Sequence, residues 1–337
     1  MSVSDTKVSV ISAGGWGTAL AVVINRSGSK VTLYTANPNV LKSIKDKRAN
    51  DVYLPDIFVE PHIHVTSDLA EACAAEIIVL SVPSQHLRST CIALSDHLEV
   101  GKPLVVATKG IEKVSLALMS EVVTSVLPKN PVAILSGPNF AGEAARGLPT
   151  ATTIACTDKY LANELIYSIG NKYFRPYYNS DVIGTQIGGA VKNVIAIACG
   201  IAIGYGFGEN TRAALITRGI SEMVRLAVAK EGKAETLMGL SGFGDLVLTC
   251  SSTTSRNMSL GIMIGEQKHA IKSILEGSQK KLAEGVTTAE SVTELANKIG
   301  VSMPICRAVH AILSGELDIR SAVDLMLERQ FVPEVMK

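Results

Sequence analysis

Short apolar runs that end in glycine, proline or small polar turns recur along the first half of the chain. KVSVIS at 7–12 alternates and then runs apolar into Ala13-Gly14-Gly15-Trp16-Gly17, and Thr18–Ile24 spaces its apolar residues as a helix does. This pattern predicts buried strands over 7–12, 31–34, 76–83, 104–110 and 132–138, with a helix-like Asn139–Arg146 after the last of them. Two more strands are expected at 150–155 and 173–178, around a short helix. After Asp181 the alternation disappears, and helical spacing predicts helices over 183–204, 210–230, 256–265, 270–276, 286–298 and 302–327. A change from mixed strands and helices to helices alone places a domain border between 182 and 183, giving units 1–182 and 183–337.

Strand, glycine turn, helix and strand follow one another within about thirty residues, which is the setting in which a G-x-G-x-x-G turn binds a dinucleotide. The expected fold is therefore a Rossmann-like, doubly wound α/β sheet at the N-terminus, followed by an all-α C-terminal domain. Gly14 would let the backbone approach a pyrophosphate, and Gly17 would let helix and strand pack closely. The pyrophosphate would lie on the helix N-terminus near Gly15. Ser12 stands where the first glycine of the fingerprint belongs, so φ there is expected to be negative. The second strand ends Leu33-Tyr34-Thr35-Ala36-Asn37, without the acid that bonds a ribose 2′-hydroxyl and repels a 2′-phosphate. Lys42 and Arg48 follow on the next helix, and the sequence leaves open whether they reach back.

The stretch Gln186–Ala198 reads as a buried helix interrupted by one charge, Lys192. One turn earlier lie Gly188 and Gly189, a pair that costs a helix about 1–2 kcal/mol relative to alanine. Bare backbone beside an ammonium offers room for a flat cofactor ring or a small substrate; the alternative is a lysine snorkelling from a buried helix to water. Lys109 and Gly137–Ala141 fall at carboxyl ends of predicted strands, the rim where open parallel sheets bind ligands, although a solvated loop lysine would look the same. Asp245, within Gly242-Phe243-Gly244-Asp245, fits a catalytic carboxylate or a turn residue equally. Ser255 reads as a helix N-cap, which sets Arg256 against the positive end of the helix dipole. An anion bound between them would explain the arginine, as would a side chain turned to solvent.

Composition narrows the class further. A content of 47% hydrophobic but only 4% aromatic residues describes a core of Ala, Val, Ile and Leu. The net charge is +1 and the pI about 7.6, with no basic footprint for nucleic acid. Six cysteines without a C-x-x-C pair argue against zinc and disulfide frameworks and for reduced thiols. MSVSDTK lacks the layout of a signal peptide, and the apolar run 193–208 is glycine-punctuated and short of the ~20 residues a membrane span needs. A cytoplasmic protein with no membrane span and no metal is expected.

Ala-Gly-Gly-Trp-Gly-Thr-Ala at 13–19, Asn50-x-x-Tyr53-Leu54-Pro55, Ala-Thr-Lys-Gly at 107–110, Ser-Gly-Pro-Asn-Phe-Ala at 136–141 and Gly-Gly-Ala-Val-Lys-Asn at 188–193 form an ordered series. Gly-Asp-Leu-Val-Leu-Thr-Cys at 244–250, Ser-Arg-Asn at 255–257 and Ala-Glu-Gly at 283–285 continue it. The series resembles the bacterial type of NAD(P)-dependent glycerol-3-phosphate dehydrogenase over nearly the whole chain. The resemblance implies interconversion of dihydroxyacetone phosphate and glycerol 3-phosphate, supply of the latter to phospholipid synthesis, NAD or NADP as cofactor, and a homodimer. It makes Lys192 the proton donor and acceptor, with Lys109 and Asp245 beside it. Lys109, Gly137, Asn139, Asp245, Ser255, Arg256 and Asn257 would bind the substrate. The cofactor would meet Gly14, Gly15, Trp16, Gly17, Lys109, Ala141, Arg256, Leu282 and Glu284. At 139 many relatives carry a hydroxyl residue, so Asn139 departs from the family pattern.

Carbonyl reduction needs a hydride donor on one face and a proton donor at the developing alkoxide. A lysine partly desolvated on an apolar helix suits the second role, because burial lowers its pKa. Two rivals remain: another two-domain NAD(P)-dependent hydroxy-acid dehydrogenase, and a dinucleotide sensor without turnover. The Ser255-Arg256-Asn257 block argues against the first, and the joint presence of Lys109, Lys192, Asp245 and Arg256 against the second.

Overall fold

A computed structural model describes residues 5–267, 271–278 and 283–328. Its strands are β1 (Lys7–Ile11), β2 (Lys30–Tyr34), β3 (Ala49–Asn50), β4 (Leu54–Phe58), β5 (His64–Thr66), β6 (Ile77–Leu80), β7 (Leu104–Val106), β8 (Val132–Ser136), β9 (Thr150–Ala155) and β10 (Phe174–Asn179). The first helices are α1 (Gly15–Asn25), α2 (Pro38–Lys47), α3 (Leu69–Cys73), α4 (Leu87–Ser95), α5 (Met119–Val126), α6 (Ala141–Arg146) and α7 (Lys159–Ile169). From Val182 on the described elements are helical: α8 (Val182–Tyr205), α9 (Glu209–Ala229), α10 (Ala234–Leu237), α11 (Asp245–Cys250), α12 (Arg256–Gln267), α13 (Ile271–Ser278), α14 (Glu284–Ile299), α15 (Pro304–Ser314) and α16 (Ile319–Leu327).

The main sheet runs β10-β9-β8-β7-β6-β1-β2-β5, and β3 with β4 forms a separate antiparallel hairpin. Apolar runs without alternation become central strands covered on both faces. Ile77 and Val79 of β6 enter one core, whereas Ile78 and Leu80 enter the other. All neighbours in the main sheet are parallel except β8 and β9. That one reversal brings the start of β9, Thr150–Thr152, to the rim where β1, β6, β7 and β8 end.

The predicted strands 76–83, 104–110 and 132–138 overshoot the observed ones, because their last residues leave the ladder to form that rim. The predicted helix 302–327 is two helices, divided at Gly315, whose φ of 80° ends α15 in the left-handed conformation.

Helix α8 is the axle of the second half, buried from Gly184 to Ala202. It has the length and apolarity of a membrane-spanning helix, but 89% of the apolar window is buried within the protein, as the core helix of a folded domain. Helix α12 lies against it backbone to backbone. A methyl at Gly261 would stand 2.8 Å from Gly200 Cα, and one at Gly265 would stand 2.7 Å from the Tyr205 amide nitrogen. Glycines at 200 and 204 thus face glycines at 261 and 265, and this contact brings the start of α12 beside Lys192. All six cysteines are free and buried.

Candidate active site

The turn between β1 and α1 has a surface that the fold itself does not require to be bare. Gly14 has an ordinary φ of −69°, and a methyl there would meet nothing closer than the Ser12 hydroxyl at 3.8 Å. Helix α1 begins after it without a side-chain cap and without an acid in its first turn, so its leading N–H groups face outward unpartnered by side chains. The Trp16 indole N–H is also buried without a partner. A cradle that a Cβ would fill, set on a free helix N-terminus, fits a dinucleotide pyrophosphate.

Gly17 does what was expected of it, since a Cβ there would overlap the Ser12 carbonyl. Ser12 itself does not follow expectation, because its φ is +90°. The turn keeps the glycine-like conformation although the glycine is gone, at a cost of about 1–3 kcal/mol that the surrounding contacts must offset.

On the other side of the rim, Lys109 and Lys192 converge on Asp245. Lys109 Nζ donates to Asp245 Oδ2 at 2.7 Å and to the Gly137 carbonyl at 3.1 Å. Lys192 Nζ, on α8, donates to Asp245 Oδ1 and, at 3.0 Å, to Thr249 Oγ1. The Thr249 hydroxyl in turn donates a hydrogen bond to the Asp245 backbone carbonyl at 2.6 Å. Asp245 is fully buried at the start of α11, so the turn-residue reading is excluded. Burial pushes the Lys192 ammonium down to about 8; the Asp245 carboxylate opposes that shift, and the Lys109 charge adds to it.

The glycine pair on α8 is spent on packing, not on ligand space. Gly188 is covered by the Ser241 carbonyl, and a methyl at Gly189 would stand 2.7 Å from Ser136 Oγ and 3.4 Å from Lys109 Cγ and Cδ. The aliphatic stem of Lys109 therefore lies across Gly189, and this is how two lysines from distant strands and helices reach one carboxylate.

Ser255 caps α12, its hydroxyl accepting from Met258 N at 3.3 Å. Arg256 follows, exposed and without a side-chain hydrogen bond or ion pair among the described residues. Asn257 Nδ2 donates to Asn193 Oδ1 at 3.0 Å, and its Oδ1 accepts from Gly285 N at 3.0 Å, tying α12 to α8 and α14. Glu284 begins α14, partly buried; desolvation raises its carboxyl pKa, and Arg256, then Lys109 and Lys192, pull it back. The Glu284 carboxylate therefore lies within electrostatic reach of all three cations.

Two expected substrate contacts are engaged elsewhere. The Gly137 carbonyl holds Lys109, and a methyl at Gly137 would meet Thr152 Cα at 2.9 Å. The Asn139 amide turns to β9, donating to Ala151 O at 2.9 Å and accepting from Thr152 Oγ1 at 3.0 Å. Ala141 stands at the start of α6 on the same rim. Leu282 lies outside the described residues. Thr249 and Asn193 were missed as members of the site, although both fall within motif stretches quoted above; a hydroxyl four residues after Asp245 and an amide next to Lys192 were the available signals.

Comparison with known proteins agrees with this geometry. The family model described as NAD-dependent glycerol-3-phosphate dehydrogenase N-terminus matches residues 7–162, and the corresponding C-terminus model matches 181–324. A relative from Caulobacter vibrioides, named glycerol-3-phosphate dehydrogenase NAD(P)+, is 48% identical over 328 residues, covering 97% of this chain and 98% of its own. One of the same name from Rhodospirillum rubrum is 47% identical over 323 residues, covering 96% of this chain and 92% of its own. The crystal structure of glycerol-3-phosphate dehydrogenase from Coxiella burnetii superposes with a TM-score of 0.91 at 37% identity, covering 96% of this chain and 99% of that one. With a paired-lysine carboxylate site, a dinucleotide turn and these matches along its length, the chain belongs to the NAD-dependent glycerol-3-phosphate dehydrogenases.

Proposed function

We propose that the chain interconverts dihydroxyacetone phosphate and glycerol 3-phosphate with NAD(P)H, and that Lys192 donates and accepts the proton. The observation that carries this reading is the pair of ammonium groups on the buried Asp245 carboxylate. An ammonium has three protons. Lys109 commits two, to Asp245 and Gly137, and Lys192 commits two, to Asp245 and Thr249. Each lysine thus keeps one proton for a substrate oxygen.

When bound, the dihydronicotinamide supplies the hydride. Lys192 then protonates the oxygen of the reduced carbonyl, and its pKa near 8 leaves it charged at neutral pH yet able to release the proton. Asp245 keeps the buried ammonium charged and oriented. The two lysines exceed the one carboxylate by a positive charge, which stabilises the developing alkoxide. In the reverse direction neutral Lys192 takes the hydroxyl proton.

Arg256 holds the substrate phosphate at the start of α12, aided by the helix dipole. Gly14, Gly15 and Trp16 would hold the pyrophosphate, with Gly17 letting α1 pack closely on the turn, and Ala141, Arg256 and Glu284 would contact the remainder of the dinucleotide. Gly137 and Asn139 shape the site through Lys109 and β9. The same reading includes two units that meet at 182–183, a homodimer, a cytoplasmic location and supply of glycerol 3-phosphate to phospholipid synthesis.

The test is oxidation of NADH and of NADPH by dihydroxyacetone phosphate, in the wild type and in Lys192→Ala. The substitution should lower kcat by about two to four powers of ten while leaving cofactor affinity nearly unchanged. Retention of more than about a tenth of the wild-type turnover sinks the assignment of Lys192.

A further inference from the structure

Asn50 belongs to the Asn50-x-x-Tyr53-Leu54-Pro55 run, and no step of the proposed chemistry uses it. It is fully buried although Asp51, Val52 and Tyr53, which follow it, are exposed. Its amide is spent on three bonds. Nδ2 donates to the Ala13 carbonyl at 2.8 Å and to Thr18 Oγ1 at 2.8 Å, and Oδ1 accepts from Tyr53 N at 3.2 Å. Both amide protons are thereby used, and the side chain is a strut from the β3–β4 hairpin to the turn between β1 and α1.

The carbonyl that this strut grips belongs to the residue immediately after Ser12. A serine at a φ of +90° holds that conformation only where its surroundings fix it. Upstream, Ser12 N donates to Tyr34 O at 3.1 Å, as a continuation of the β1–β2 ladder. At its own position, the Ser12 carbonyl occupies the space Gly17 leaves by lacking a Cβ. Downstream, the side-chain contact is Asn50. Without it the Ala13–Gly14 peptide loses its anchor, so rotation about Ala13 can relieve the strain at Ser12, and the N–H groups of Gly15 and Trp16 would turn with it.

We propose that Asn50 is a positioning residue for the dinucleotide, clamping Ala13 so that Ser12 keeps the glycine-like turn that presents the α1 N-terminus to the pyrophosphate. Asn50 touches no cofactor atom in this arrangement and acts through the Ala13 carbonyl. The proposal rests on the reading that this turn binds NAD(P)H. It explains how the chain dispenses with the first fingerprint glycine.

The experiment is a cycle of Asn50→Ala and Ser12→Gly, read as the dissociation constant for NADH in the absence of substrate. Trp16 is the sole tryptophan and lies in this turn, so quenching of its fluorescence by NADH reports binding directly. Asn50→Ala should weaken NADH about tenfold or more, whereas Ser12→Gly alone should stay within about threefold of wild type. In the Ser12→Gly background the loss from Asn50→Ala should shrink to about threefold or less, because glycine takes the turn without strain. Asn50→Asp, equal in size but without the donors, gives the same comparison if Asn50→Ala does not fold. Unchanged affinity in both Asn50 variants overturns the proposal. An equal loss with Ser12 and with Gly at 12 overturns it too, since Asn50 would then merely support the hairpin. A wild-type chain that does not bind NADH overturns the underlying reading and the proposal together.

Discussion

Lys109 and Lys192, one at the end of a sheet strand and the other mid-way along the buried helix α8, end on the two oxygens of the same carboxylate, Asp245. Neither lysine alone would be informative: Lys109 could be a loop lysine, and Lys192 could snorkel. Their meeting on a carboxylate that is fully buried is costly to arrange, because each charge must be taken out of water. Burial, Asp245 and Lys109 act on Lys192 with different signs, and the resulting value near 8 is where a proton donor is most responsive to pH.

That balance predicts a pH profile. Reduction requires charged Lys192, so kcat/KM for dihydroxyacetone phosphate should fall as pH rises through about 8, and the oxidation of glycerol 3-phosphate should rise over the same range. Asp245 raises the Lys192 pKa, so Asp245→Asn should move both limbs to lower pH by about one unit or more. Limbs that stay in place would assign the titration to another group.

Arg256 is exposed at the start of α12, against the helix dipole. If it holds the substrate phosphate, Arg256→Ala should cost about 2–5 kcal/mol in kcat/KM with dihydroxyacetone phosphate. With unphosphorylated dihydroxyacetone the loss should be much smaller. Equal losses on the two substrates would show that Arg256 does not read the phosphate.

The glycine seam between α8 and α12 positions both Arg256 and Asn257. A methyl at Gly261 would press on Gly200 Cα at 2.8 Å, with backbone on both sides and no side chain to yield. Gly261→Ala should therefore destabilise the protein by about 1–3 kcal/mol or more. Gly208→Ala is the control: its φ is −83° and a methyl there meets nothing within 4 Å, so only the N-cap preference of α9 for glycine is lost and the cost should stay below about 1 kcal/mol. Denaturant melts of the two variants compare them directly, and similar midpoints would contradict the close-packed seam.

Strands buried on both faces announced themselves as apolar runs, and helix α8 did so through Ile187, Val191, Val194, Ile195 and Ala198. The residues that build the site were legible one at a time, by motif and resemblance, but not their convergence. Lys109 and Asp245 are 136 positions apart, and no periodicity links them. Gly188 and Gly189 were legible as bare backbone, yet only the tertiary contacts show that Ser241, Ser136 and the Lys109 stem fill the space. Ser12 was misjudged for a similar reason. A local steric preference pointed to negative φ, and long-range contacts from Asn50 and Tyr34 override it. The short helix α11 escaped notice because the glycines at 239, 242 and 244 mask its start, and with it the link from Thr249 to Lys192.

Cofactor choice rests on the end of β2. Ala36 is uncharged there, and its polar neighbours are largely committed to the backbone. Asn37 Oδ1 caps α2 by accepting from Asn39 N at 3.0 Å and Val40 N at 3.4 Å, and Thr35 Oγ1 accepts from Asn37 N at 3.2 Å. Arg48 does not reach back: it sits past the far end of α2, about 15 Å along the helix, with its guanidinium directed at the carbonyls of Pro61 and Ile63. Lys42 pairs with Asp46, one turn further from Ala36, at 3.1 Å. A 2′-hydroxyl therefore meets no dedicated acid, and a 2′-phosphate gains little beyond the N-terminal dipole of α2, about 0.3–1 kcal/mol. Since each tenfold preference needs about 1.4 kcal/mol, kcat/KM for NADH and NADPH should differ by less than about a hundredfold. Initial rates with both cofactors at one concentration of dihydroxyacetone phosphate check this. A larger preference for NADPH would mean that Lys42 leaves Asp46 for the phosphate, and Lys42→Ala should then erase it. A larger preference for NADH would mean that a carboxylate from elsewhere closes over the ribose, which the end of β2 does not supply.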